Sequence, residues 1–150
     1  MITEDYVSFE TAKLLKEKGF SEWCFKCYGV AVLHNGADIS FDEECELKDE
    51  GRENEIEYVE GGRLYDYGCD NREKDAKVWA APTLWVAMKW LREVHNVAIV
   101  ITPSMFDGRY NAAIYKRNNV YPFGFDGDSL ISSYEEACEA AIKYCLENLV

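Results

Sequence analysis

The sequence has no apolar run near the roughly 20 residues that a membrane helix needs. It shows no basic block followed by apolar residues after Met1-Ile2-Thr3-Glu4-Asp5-Tyr6, and no internal repeat. Neither a membrane span nor a secretory leader is visible, and a cytoplasmic protein is expected. Basic residues are scarce: 16 Lys and Arg stand against 28 Asp and Glu, a formal net charge of −12. Such a chain repels nucleic-acid phosphates and anionic lipid, which argues against direct nucleic-acid binding and against membrane association. Histidine occurs only as His34 and His95. No G-x-S-x-G, H-E-x-x-H, phosphate-binding loop or dinucleotide-binding glycine pattern is present. The expectation is therefore a protein that is not an enzyme and uses no cofactor. A small enzyme with a pocket of tyrosines and carboxylates, which motifs would not reveal, is an alternative.

The 150 residues, 48% hydrophobic and 14% aromatic, suit one domain with one core. Ser8 is a good N-cap with Glu10 in the first turn, and Lys18-Gly19-Phe20 reads as a Schellman ending that returns Phe20 onto Leu15. Phe25 to His34 reads as a strand, Asn35-Gly36 as a turn, and Asp38 to Phe41 as the returning strand of a hairpin. A second hairpin is expected around Gly61-Gly62, with 43–54 between them as an acidic solvated connection. Ala81-Pro82-Thr83 opens a helix to about His95, with Pro82 at its first position and Leu84, Val86, Ala87, Met88, Trp90, Leu91 and Val94 on its apolar arc. Val97 to Thr102 and Arg109 to Lys116 form a third hairpin across Asp107-Gly108. Ser133 and Glu136 make a capping box for a last helix to about Asn148, with Tyr134, Ala137, Cys138, Ala141, Ile142, Cys145 and Leu149 on one side. The expected fold is α+β: one domain over 1–150, an antiparallel sheet built from hairpins, and about three helices packed mainly on one face.

Three stretches, Glu4 to Phe20, Ala81 to Val97 and Ser133 to Leu149, carry a resemblance. With Tyr6-Val7-Ser8-Phe9-Glu10, Lys89-Trp90-Leu91-Arg92-Glu93 and Ser133-Tyr134-Glu135-Glu136-Ala137 at their hearts, they resemble a group of small proteins of Bacteroides-type gut anaerobes and of their prophages and mobile elements. That group has no assigned activity, cofactor or catalytic residues. The resemblance covers about a third of the chain and implies an accessory protein of phage origin.

The charge is local. Between Asp38 and Glu60 there are 11 acids against Lys48 and Arg52, so −9 of the −12 falls on this segment. Clustered carboxylates steer a basic partner at low salt, and an imitation of DNA would in addition need a regular, phosphate-like spacing. Glu43, Glu44, Glu46, Asp49 and Glu50 are thus candidate contacts for an unidentified protein partner, whose complementary charge would be basic. Trp85, off the apolar arc between Lys89 and Arg92, resembles an interface anchor, and a homo-oligomer is a further possibility.

Of the six cysteines, Cys24 and Cys27 form a C-x-x-C pair that can grip zinc or perform thiol chemistry. Further metal ligands would have to come from His34, Cys45 or Cys69. An extended Cys24 to Cys27 would send the two thiols to opposite faces. Reduced thiols are expected, with Cys138 and Cys145 as core residues. Asp126-Gly127-Asp128 reads as a turn rather than a cation loop, and His95 as a protonated cap of its helix.

Overall fold

The computed structural model describes residues 2–105, 107–123 and 131–150. The Asp126-Gly127-Asp128 turn lies outside them. The chain forms helices α1 (Phe9–Glu17), α2 (Phe41–Asp49), α3 (Leu84–His95) and α4 (Tyr134–Asn148) and strands β1 (Cys27–Leu33), β2 (Ile56–Tyr65), β3 (Val78–Ala80), β4 (Val97–Pro103), β5 (Tyr110–Lys116) and β6 (Asn119–Phe123). The class is α+β. Among the described residues the strands divide into two antiparallel three-stranded sheets, ordered β2-β1-β3 and β4-β5-β6, rather than one sheet, and four helices accompany them.

Local chemistry sets the helix ends. Ser8, Ser40, Thr83 and Ser133 each accept a hydrogen bond from the backbone N–H three residues on, satisfying a donor with no intrahelical partner. Helix α1 closes with Phe20 N–H donating to Leu15 O at 2.9 Å and Gly19 N–H to Lys16 O at 3.2 Å, the paired bonds of a Schellman ending. Pro82 precedes the Thr83 cap instead of occupying the first helical position, and its carbonyl accepts from Val7 N–H at 3.1 Å. In α4 the Glu136 carboxylate meets the Ser132 hydroxyl at 2.6 Å rather than reaching back to the Ser133 backbone.

Two expected hairpins are replaced. After Asn35-Gly36 the chain makes a single bridge, Val32 to Asp38, and then enters α2, so 38–41 is not a strand and 43–54 is largely helical. Ser40-Phe41-Asp42-Glu43 has the same S-x-x-E form that opens α4, and the cap wins over the short alternation of Asp38 to Phe41. The partner of β1 is β2, which continues past Gly61-Gly62 without reversing. Its register breaks between Gly29 and Ala31, where four residues of β2 bulge against Val30. At Gly62, with φ +63°, a Cβ would lie 2.6 Å from the Phe9 ring, so only glycine lets α1 seat there. Phe9 then packs edge-on against Trp79 at 5.1 Å and tilted against Tyr28 at 5.4 Å, fastening α1 to the first sheet. The β4–β5 hairpin is present, and β6 extends it through Arg117-Asn118.

The main core joins α1, α3 and α4 to β3, β4 and β5 through Leu15, Phe20, Leu91, Ile114, Ile142 and Leu146, all nearly inaccessible to solvent. Cys138 and Cys145 belong to it, whereas Tyr134 and Val94 are exposed, so both apolar arcs are narrower than their sequence suggests. Helix α2 rests instead on a small separate cluster of Ala31, Ile39 and Ile56, flanked by Leu33 and Leu47. So few apolar residues hold a helix weakly. A polar tie supplements them: buried Glu44 accepts from Lys48 Nζ at 2.8 Å and from the Tyr58 hydroxyl at 2.7 Å, binding α2 to β2. Glu44→Ala is expected to lower stability by about 1–3 kcal/mol, because it removes the hydrogen bonds of a buried carboxylate to Lys48 and Tyr58 that tie α2 to β2. Glu43→Ala, on the outer side of the same helix, should change it by less than about 0.5 kcal/mol. Urea denaturation of the two variants checks the difference.

Candidate functional site

The most chemically dense region lies where β1 and β2 run together and α2 begins. At about 100° per residue, Asp42, Glu43, Glu46, Asp49 and Glu50 fall within about 120° of the outer surface of α2. All five are exposed. Glu44 does not share that surface: it is buried and turned toward Tyr58. The acidic segment is partly neutralised within itself. Arg52 pairs with Glu50 and Glu55, Arg63 with Asp38 at 2.7 Å, and Lys48 with Glu44. Among the described residues, no cation pairs with Asp42, Glu43, Glu46 or Asp49. The first two favour the N-terminal end of the helix dipole, but Asp49 opposes it at the C-terminal end.

The start of α2 separates two hollows that share Ser40, Asp42, Tyr67 and Gly68. One, of about 630 Å³, is rimmed by Asp38, Asp42, Glu43 and Asp66. The other, of about 440 Å³, has Trp23, Phe41 and Val78 as apolar wall and Cys69 at its lining. Trp23 lies against the backbone of Gly68, where a Cβ would meet its ring at 2.1 Å, and packs edge-on with Phe25 at 4.7 Å. Both aromatic rings are exposed.

Three thiols converge here. Cys24 N–H donates to Cys69 O at 2.8 Å and Cys69 N–H to Cys24 O at 3.0 Å. Cys24 pairs with Cys69 and Cys27 with Tyr65, so three steps along one side match four along the other, an irregularity of the bulge kind. Burial pushes the Cys24 thiol up to about 12. The Cys27 thiol donates to Tyr67 O at 3.4 Å, and its pKa is held high by the neighbouring Cys69 and then by burial. Cys27 in turn holds Cys69 below the ordinary thiol value, with help from the Lys16 ammonium, against burial and the Asp70 carboxylate. Lys16 is fixed by donating to Ala76 O at 2.8 Å and Val78 O at 2.9 Å. All six cysteines are free.

His34 and Cys45 do not join this cluster. His34 Nδ1 meets Glu57 Oε1 and its Nε2 meets Asn54 O, both at 2.6 Å, while Cys45 is carried on α2. Among the described residues, no group of three or more His, Cys, Asp or Glu is arranged to hold a metal ion. Trp85, Lys89 and Arg92 form a separate patch on α3: the indole is exposed and the Lys89 ammonium stands 5.3 Å from its centre. The hollow at Trp85 is lined by Met88, Tyr134 and Glu135 and not by residues of α2. Cys69 was one of several possible ligands in the sequence; its pairing with Cys24 has no local signal, because it depends on the chain returning from 45 positions further along.

The two histidines titrate in opposite senses. Both partners of His34 are acceptors, which favours the doubly protonated ring, and its pKa is raised by Asn54 O and then by Glu57. That stabilisation is complete below the ordinary value of about 6.5 and fades as pH rises through the higher folded value. His95 is not a protonated cap: its Nε2 is buried without a partner, burial and then Lys116 lower its pKa, and left-handed Asn96 closes α3 instead. Its stabilising contribution is complete above about 6.5 and is lost as pH falls toward the lower folded value. On acidification from neutral pH to about 5, His95→Phe should lose less stability than the parent and His34→Gln more, as read by thermal melts at each pH.

No helix among the described residues is long and apolar enough to cross a membrane. No family model, curated protein or solved structure matches the chain, and the functional reading rests on the chemistry of the site itself.

Proposed function

We propose that the protein is a non-enzymatic interaction module whose α2 face binds a basic surface on a protein partner. The carrying observation is the outer surface of α2, where Asp42, Glu43, Glu46 and Asp49 stand without a cation on a regular helical repeat. A connection without structure would spread the same charge over many geometries. A helix presents carboxylates one turn, about 5.4 Å, apart, which suits a row of Lys or Arg side chains. The neighbouring hollow rimmed by Asp42 and Glu43 offers room for one cationic side chain to leave solvent. An accessory role of phage or mobile-element type, acting in the cytoplasm on a basic protein and not on nucleic acid directly, agrees with this chemistry. Asp49 supports the reading from another direction, since an acid at the C-terminal end of a helix costs stability that a purely structural helix would avoid.

A Lys/Arg-rich helical peptide and a neutral peptide of equal length serve as probes in fluorescence anisotropy. Only the basic peptide should bind, at least about tenfold more weakly at physiological than at low salt, because the reach of exposed charge shrinks to about 8 Å. The triple variant Asp42→Lys, Glu46→Lys, Asp49→Lys should abolish binding. A variant of equal charge change elsewhere, Glu4→Lys, Glu17→Lys, Glu93→Lys, should keep most of it. Equal loss in both would reduce the effect to net charge and remove α2 as the site.

A further inference from the structure

We propose that the outer face of α3 is a homodimer interface, on which two copies of the chain pack antiparallel about a two-fold axis near Met88, with Trp85 as the anchor. The inference is independent of what α2 binds.

Trp85, Met88, Lys89 and Arg92 follow one helical stripe, on the opposite side of α3 from the buried Ala87 and Leu91. Trp85 is 62% exposed, and Tyr134 at the start of α4 is exposed beside it. A hollow of about 180 Å³ has Trp85, Met88 and Tyr134 in its lining. An indole left in water next to a methionine and a tyrosine has the composition of an interface core, in which the buried aromatic carries most of the binding energy.

Charge identifies the occupant as a second copy. Asp5 and Glu135 line the same hollow, and Asp5 is held at the N-terminal end of α3 by Leu84 N–H donating to its carbonyl at 2.9 Å. Lys89 and Arg92 lie about 6 and 10 Å beyond Trp85 along the helix axis, toward the other end. Among the described residues Asp5, Glu135 and Arg92 make no ion pair, and Lys89 meets only Glu93, at 3.9 Å. Acids at one end of an apolar centre and cations at the other make a surface that is its own complement. Turned through a two-fold axis, the acids of one copy lie on the cations of the other. A uniformly basic or acidic partner would leave one end unmatched. The two signs also balance here on a chain of net charge −12, so two copies can meet at this face without the repulsion that their totals imply. One helix face is small against the roughly 1,600 Å² of a standard complex, so the dimer forms and dissociates with concentration.

The test follows the molar mass of the whole reduced protein by sedimentation equilibrium. The 17.2 kDa chain should pass to twice that mass as its concentration rises from about 1 to about 500 µM, and Trp85→Ala should weaken association at least about tenfold. Two charge-reversed variants, Asp5→Lys with Glu135→Lys and Lys89→Glu with Arg92→Glu, should each stay monomeric. An equimolar mixture of the two should dimerise again, because each supplies the charge that the other's face then requires. A shift of four charges either way from −12 leaves −8 and −16, both negative, so attraction between totals cannot produce that recovery. Circular dichroism shows whether the reversed variants are folded, and the parent and Trp85→Ala decide the matter even if they are not. The α2 variant Asp42→Lys, Glu46→Lys, Asp49→Lys should dimerise as the parent does. A parent monomeric over the whole range, a dimer indifferent to Trp85→Ala, a dimer lost with the α2 acids, or folded reversed variants that stay apart when mixed would overturn the proposal.

Discussion

The pairing of β1 with β2 is the constraint on which the rest depends. It joins 27–33 to 56–65 across a break in register, and everything between must fold back within that span. The segment from Asp38 to Asn54 is too acidic to enter the main core. It solves the problem as a capped helix whose few apolar residues, with Ile39 and Leu47 foremost, rest on the outer side of β1. The same pairing carries the chain onward from Tyr65 to Cys69 alongside Cys24 to Cys27. The acidic face and the thiol cluster are thus two products of one antiparallel return, and they share Ser40, Asp42, Tyr67 and Gly68 at their boundary.

Charge in this half of the molecule is sorted by depth. The one carboxylate that α2 turns inward, Glu44, has two donors, as a buried anion requires. Those at its outer rim gain little from Arg52 and Arg63, because exposed ion pairs are worth about 0–1 kcal/mol. Desolvation governs the arrangement: where water is absent a partner is present, and where water remains the acids can stand unpaired. This is why the uncompensated charge collects on one outward arc and does not surround the helix.

Much of the fold is legible where the signal is local. The caps at Ser8 and Ser133, the Schellman bonds after α1 and the β4–β5 hairpin follow from neighbouring residues, and the structure has them. The α2 cap is equally local, yet it competes with a short β-like alternation at Asp38 to Phe41 and with a net charge that argues for solvated chain. At four residues the alternation is too brief to decide; satisfaction of helix N–H groups by Ser40, with three acids on the dipole, decides for the helix. What could not be read is the long return. Gly61-Gly62 looks like a turn because its glycines have a local explanation, whereas Gly62 serves the close approach of Phe9, 53 residues away. For the site, the α2 acids were legible as residue types and charge but not as one face, and Glu44 was indistinguishable from its neighbours until Tyr58 came beside it.

The thiol cluster shows how a short contact prevails over a long-range field. A protein of net charge −12 disfavours every thiolate, and Asp70 beside Cys69 adds to that. Cys45 is raised by burial and by the acids of its own helix, Cys138 is pushed up to about 11 and Cys145 to about 12 by burial. Cys69 departs from them in the other direction because its leading influence is a hydrogen bond from a buried donor, which solvent and salt do not screen. The donor is itself a thiol that burial holds in its neutral form, so of the two sulfurs Cys69 is the one whose pKa falls. The asymmetry follows from the difference in depth between two adjacent strands. It would survive changes to the surface charge that alter the field around it.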